Sequence, residues 1–119
     1  MTGLYGLPSA DHVLVVHRGE GLVVDASDPA APAVGVGWAI HQVVPVHEPA
    51  LVLLVGFTEI TALDAQGVRW TTPRLCLDDL LVERVADDHI VCSGEFPPRQ
   101  TLVVSLTSGE RLSGPAFRW

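Results

Sequence analysis

Lysine is absent from this sequence, and the seven basic residues are arginines that stand singly along the chain. Fourteen acidic residues give a formal net charge of −7. A surface that binds nucleic acid needs clustered cations, because these displace counterions from the phosphates. The charge balance therefore excludes nucleic acid and anionic membranes as expected partners, and it favours a protein partner with a basic surface.

Long apolar runs are also missing. The longest, at residues 50–57, has eight residues, whereas a membrane-spanning helix needs about 20. The first residues lack the basic region and apolar core of a signal peptide. We therefore expect no membrane span and a cytoplasmic location.

Cysteine is scarce, with Cys76 and Cys92 the two examples. Their apolar neighbours favour buried, reduced thiols that act as small hydrophobic side chains. A disulfide is the alternative, because neighbouring strands could bring the two residues together, although a cytoplasmic setting keeps thiols reduced. A zinc site has the least support, since neither cysteine belongs to a C-x-x-C pair.

The sequence motifs that mark common enzymes are missing too. There is no H-E-x-x-H, no G-x-S-x-G and no glycine-rich phosphate loop that enters a helix. The five histidines are scattered, so we expect no metal, no cofactor and no catalytic residue. An enzyme or ligand-binding site assembled from distant residues such as His41, His89 and Asp79 stays open as an alternative.

The segments between turn residues indicate one all-β domain over residues 1–119. Short apolar or alternating runs recur about every ten residues and end at glycine, proline or aspartate, which is typical of a β-sandwich or barrel. We predict a compact antiparallel barrel or sandwich of about nine or ten short strands. The predicted strands are residues 12–16, 22–25, 38–44, 50–55, 57–63, 68–71, 75–86, 89–93, 101–106 and a short strand after Gly109. The tail 117–119 alternates as a strand would.

Residues 75–86, the loop after residue 44 and the core each receive a more specific prediction. Residues 75–86 also show a helical stripe of leucines, but their all-strand surroundings favour a strand. Pro45 and Pro49 are expected to bracket a loop. The predicted core consists of Ile40, Leu51, Leu53, Val55, Ile60, Leu63, Trp70, Ile90 and Val103.

Residues 60–70 (ITALDAQGVRW) resemble the strand–turn–strand signature of PQQ-like β-propeller repeats, and residues 104–110 echo the same hairpin. Residues 21–32 are similar to another propeller repeat, which ends in an apolar–Asp–x–Ser–Asp–Pro run. The resemblance implies that Asp64 and Gly67 shape the turn and that Trp70 packs beneath it; it implies no quinone cofactor. A full propeller needs at least four blades of about forty residues, which is more than these 119 residues can supply. The whole chain also resembles small uncharacterised bacterial all-β proteins, which implies no function.

Residues 78–95 carry six acidic residues and one arginine. Turn chemistry explains aspartate pairs, so a solvated acidic rim is one interpretation. The other is a surface that attracts a basic protein, with Phe96 as an apolar anchor. The candidate binding residues are Asp78, Asp79, Glu83, Asp87, Asp88, Glu95 and Phe96.

Together these observations predict a non-catalytic protein-binding module, such as an inhibitor or immunity-type partner of a basic protein. Two alternatives remain open. One is a structural protein that buries its surplus apolar surface by self-association. The other is the enzyme or ligand-binding protein with a site of scattered residues.

Overall fold

Twelve β-strands account for the regular structure of residues 1–118, the part of the chain that this computed structural model describes. Four consecutive strands form each of three antiparallel sheets. Sheet 1 contains β1 (Gly3–Gly6), β2 (His12–His17), β3 (Glu20–Asp25) and β4 (Val34–Gly37). Sheet 2 contains β5 (Gln42–Val46), β6 (Leu51–Val55), β7 (Ile60–Asp64) and β8 (Gly67–Thr71). Sheet 3 contains β9 (Asp78–Val85), β10 (His89–Glu95), β11 (Arg99–Ser105) and β12 (Arg111–Ser113).

Sheet 2 lies in the middle of the stack, and its strand β6 is buried at all five positions. Leu51, Leu53 and Val55 pack toward sheet 3. Val52 and Leu54 pack toward sheet 1. Successive side chains of a strand point to opposite faces, so a strand between two sheets must be apolar throughout. This explains the uninterrupted apolar run of β6.

Two apolar cores fill the spaces between the sheets. The core between sheets 2 and 3 is the larger, and sheet 3 supplies it with Leu80, Val82, Ile90, Cys92, Leu102 and Val104. In the core between sheets 1 and 2, the fully enclosed side chains from sheet 1 are Leu14 and Val16. Sheet 1 therefore packs against sheet 2 through fewer completely buried side chains than sheet 3 does.

The side chain of Gln42 ties sheet 2 to sheet 3 in the manner of an extra strand residue. Its Nε2 donates a hydrogen bond to the Val82 carbonyl at 2.9 Å, and the Val82 amide donates to its Oε1 at 3.0 Å. Val82 belongs to β9, an edge strand of sheet 3. The side-chain carboxamide of Gln42 thus supplies hydrogen-bond partners to backbone groups that an unpaired edge strand would leave without any.

The loop between β7 and β8 shows how local chemistry sets a turn. The Asp64 carboxylate accepts a hydrogen bond from the Gln66 amide at 2.8 Å, and Gly67 has a φ of 120°. That conformation favours glycine. Trp70 extends from β8 toward sheet 3, where its Nε1 donates to the Leu106 carbonyl at 3.1 Å.

The prediction of an all-β antiparallel fold is confirmed, while the barrel and the strand number need correction. None of the three sheets over residues 1–118 closes into a barrel, and they contain twelve strands rather than nine or ten. The additional strands are the four-residue β1 and β4, with sequences GLYG and VGVG. Glycine is disfavoured in strands because it has no side chain to pack, so these segments gave no strand signal.

Several predicted boundaries were also wrong. Residues 38–41 precede β5 rather than start it, because Ala39 has a φ of 55° and turns the chain. Residues 57–59 lie before β7. Pro45 belongs to β5, where an edge strand tolerates a residue without an amide hydrogen. Residues 117–118 are not in a strand, and Trp119 lies outside the described residues.

The predictions for residues 75–86 and for the core agree better with the structure. Residues 78–85 form β9, so the strand interpretation of this segment is confirmed. Every predicted core residue is buried except Val103, which is only half-buried. Its neighbours Leu102 and Val104 fill the core instead, because side chains alternate along β11 and Val103 points to the outer face.

We expect Gln42→Ala to lower the free energy of unfolding by about 2 kcal/mol, because it strands an amide and a carbonyl of buried Val82 without partners. Urea denaturation followed by tryptophan fluorescence measures the change. Gln66→Ala is the control, since Gln66 is exposed and its bond to Asp64 uses the backbone amide. Equal stability of the two variants would contradict a tie between the sheets.

Candidate interaction surfaces

The structure divides the predicted acidic surface into two groups. Asp78 pairs with Glu95 at one end of the β9–β10 hairpin, whereas Asp87 and Asp88 lie in its turn at the other end. β9 has eight residues. At roughly 3.3 Å per residue, its two ends are separated by roughly 23 Å. The six acidic residues therefore do not form one continuous patch.

Hydrogen bonds to Arg99 organise the group at the Asp78 end. The Arg99 guanidinium donates to the Asp79 carbonyl at 2.9 Å and to Ser93 Oγ at 2.8 Å, and its Nε lies 3.7 Å from Glu95 Oε1. Ser93 Oγ in turn donates to the Glu83 carboxylate at 2.7 Å. This network holds three of the predicted site residues: Glu83 and Glu95 through their carboxylates and Asp79 through its backbone carbonyl.

Two exposed leucines accompany this network. Leu81 stands opposite Ser93 in the strand register, and the Leu77 amide donates to the Glu95 carbonyl at 2.8 Å. Their side chains are 38% and 42% exposed, respectively. Phe96, the predicted anchor, is half-buried and packs against the core between sheets 2 and 3. The apolar contacts available to a partner at this place are therefore the leucines, which the sequence did not single out.

We call this surface the acidic face: the carboxylates Asp78, Asp79, Glu83 and Glu95 with Leu77 and Leu81.

At the other end of the hairpin, Nδ1 of His89 lies 2.7 Å from the Asp88 carboxylate. This hydrogen bond lowers the pKa of Asp88 below its usual value.

The residues of the alternative scattered site lie in separate places. His89 is at the turn of the β9–β10 hairpin and Asp79 is at its opposite end. His41 Nε2 lies 3.1 Å from the Gly56 carbonyl, and its ring stacks on Phe57 with centroids 5.1 Å apart. Within residues 1–118 there is also no group of three or more histidine, cysteine or acidic residues that could hold a metal ion.

A cleft of about 340 Å³ between sheets 1 and 2 brings together Ser9, His12 and Asp25. Ser9 Oγ is 2.8 Å from His12 Nδ1. The Asp25 carboxylate accepts bonds from the Ser27 hydroxyl and amide at 2.6 and 2.9 Å, which lower its pKa. A serine–histidine–aspartate triad needs the serine on Nε2 and the carboxylate on Nδ1. This arrangement differs, since serine takes Nδ1 and aspartate shapes a turn.

Trp38 lies at the mouth of a second cleft between sheets 1 and 2, of about 460 Å³, together with Phe57. Its side chain is 80% exposed. Most tryptophans bury their large apolar ring. The chain turns directly after Trp38, at Ala39, whose φ of 55° is unusual for a residue with a side chain. No signal in the sequence indicates this exposure, since a tryptophan at the start of a predicted strand is equally consistent with burial.

The chain matches no protein-family model, no curated protein and no solved structure. The described residues contain no helix long and apolar enough to span a membrane.

Both cysteines are buried and unbridged. Burial raises the pKa of Cys92 to about 12, and it also raises the pKa of Cys76. The thiolate is the reactive form of cysteine, so burial and a raised pKa both slow modification at neutral or mildly alkaline pH.

We expect thiol titration at pH 8 to be at least about 100-fold slower in the folded protein than in denaturant, where two thiols per chain should react. The variants Cys76→Ala and Cys92→Ala assign each reaction to one residue. Fast modification of both thiols in the folded protein would contradict burial. Failure to find two thiols after denaturation would indicate a disulfide.

Proposed function

We propose that this chain is a non-catalytic binding module for a protein with a basic surface, and that the acidic face is its recognition site. The observation that carries the proposal is that two exposed leucines lie at the end of the hairpin that holds four carboxylates: Leu81 pairs with Ser93, and the amide of Leu77 bonds to the Glu95 carbonyl. An inhibitor or immunity-type protein that masks a basic protein would use a surface of this kind.

Charge supports a basic partner. Four carboxylates belong to the acidic face; Arg99 and Arg84 lie on the strands that carry it, and Arg74 donates to the Leu77 carbonyl at 2.7 Å. The chain as a whole has a net charge of −7. Charges of one sign attract an oppositely charged partner over roughly a Debye length, about 8 Å at physiological salt. The excess therefore raises the association rate more than the final affinity.

The leucines supply what the charges lack. Interfaces commonly combine an apolar centre with a polar rim, and a few desolvated side chains carry most of the binding energy. Leu77 and Leu81 can fill that central role here. The bonds from Arg99 hold Glu95 and Ser93 in position before binding, which reduces the entropy lost when the surface is ordered.

The test compares two double variants with the same change of charge. Asp78→Asn/Asp79→Asn removes two charges from the acidic face, and asparagine preserves the acceptor through which Asp78 bonds to the Asp79 amide. We expect roughly a three- to tenfold slower association at low salt, with a weaker dependence on salt. The rates are measured by surface plasmon resonance against the basic protein that copurifies with the wild type, at two salt concentrations.

Asp87→Asn/Asp88→Asn is the matched control, because it removes two charges at the far end of the hairpin. We expect it to associate nearly as fast as the wild type. If both variants slow association equally, overall charge is responsible and the acidic face is rejected as a local site. If neither changes the rate, the acidic residues are solvated turns.

A further inference from the structure

The two outermost faces of the stack differ sharply in polarity. The outer face of sheet 3 carries the acidic face and its arginine. The outer face of sheet 1 is mostly apolar. Leu14, Val16 and Val23 point inward to sheet 2, so the residues that alternate with them point outward. The outward side chains of β1–β3 are Leu4, Val13, Val15, Leu22 and Val24, with the exposed pair His17 and Glu20 at one end.

These side chains form continuous rows across the strands. Leu4, Val15, Leu22 and Gly35 are successive partners in the register, and Val13 pairs with Val24. Leu4 is 73% exposed, and the other apolar side chains of the rows are half-buried. An end sheet of an antiparallel stack normally alternates apolar inward with polar outward. Sheet 1 carries apolar rows on both faces, with polar residues confined to the strand ends, which is the pattern of a sheet that another layer covers.

A depression of about 640 Å³ lies beside these rows, lined by Arg18, Glu20, Gly35, Gly37, Trp38 and Ala39. Gly35 contributes to its depth, because no atom lies within 4 Å of where a Cβ would be. The exposed ring of Trp38 stands at its edge. One surface thus carries a projecting aromatic ring and, next to it, a recess.

We propose that a second copy of this chain covers the outer face of sheet 1, with the two copies related by a two-fold axis. A ring beside a recess suits this symmetry, because residue i contacts residue j and j contacts i. Trp38 of each copy fills the depression at Gly35 of the other. Arg18 and Glu20 line the same depression with opposite charges, so the symmetry pairs each with its complement.

The polarity of sheet 3 excludes a head-to-tail arrangement. Stacking the apolar face of sheet 1 onto sheet 3 would remove Glu83, Glu95 and Arg99 from water against side chains that cannot bond to them. The two-fold arrangement joins apolar to apolar. It leaves a polar sheet at each end, as stacked repeats need for solubility.

The available area predicts a weak dimer. Four strands about 4.8 Å apart and about five residues long make a footprint of roughly 300 Å². A tryptophan adds up to about 250 Å² of buried surface per copy. The total accessible surface removed from the two copies is then roughly 1,100 Å², just below the usual lower limit of about 1,200 Å² for a stable, specific interface. We therefore expect a dissociation constant in the micromolar range, with dissociation on dilution.

Analytical ultracentrifugation of the wild-type chain from about 1 to about 500 µM brackets that constant. We expect the mass to rise from 12.7 kDa to twice that value and to stop there. A chain that stays monomeric at the highest concentration would overturn the proposal, and so would growth beyond a dimer, which indicates head-to-tail contact.

Matched variants locate the interface. Leu4→Glu and Leu112→Glu each place a charge at an exposed leucine on an edge strand of an end sheet. We expect Leu4→Glu to weaken dimerisation at least about tenfold, and Leu112→Glu to leave it unchanged. Trp38→Ala is the second test, because its exposed ring is not needed for folding, and we expect it to weaken the dimer by a similar factor. Equal behaviour of the Leu4 and Leu112 variants would overturn the proposed face.

Discussion

The side chains of β6 are buried on both sides of sheet 2, so the positions of sheets 1 and 3 depend on packing against this strand. The strand can satisfy both neighbours because its residues are apolar without interruption. A polar residue at any of the five positions would put an unsatisfied group into one of the two cores. The stack has no helix among its described residues to cover a sheet, and each sheet is covered only by the next one.

This arrangement places the surfaces available to partners at the two ends of the stack. Sheet 3 closes its end with carboxylates, an arginine and a serine that bond to one another. Sheet 1 presents valine and leucine rows and the ring of Trp38. The two surfaces lie on different sheets, so use of one does not obstruct the other. If both proposals hold, the dimer presents the acidic face twice and can bind two partners or one repeated partner with increased avidity.

The sequence predicts most strongly what depends on neighbouring residues. The apolar run of β6 identifies a central strand, and the turn residues at Asp64 and Gly67 separate β7 from β8. Sequence patterns do not predict the features that depend on tertiary packing, such as where a given side chain lies. Trp70 and Trp38 are the same residue type, yet Trp70 is buried and donates to the Leu106 carbonyl just after β11, whereas Trp38 projects from the surface. The acidic residues are close in sequence, but an extended hairpin carries them to opposite ends.

The unequal cores give the stack an order of opening. Sheet 3 is joined to sheet 2 by the larger core and by the two hydrogen bonds of Gln42. Sheet 1, in contrast, contributes only two completely buried side chains, Leu14 and Val16, to its contact with sheet 2. In a stack where each layer touches only its neighbours, the most weakly attached end layer separates first. Amide hydrogens of β1–β4 should therefore exchange with solvent through a partial opening that leaves sheets 2 and 3 closed.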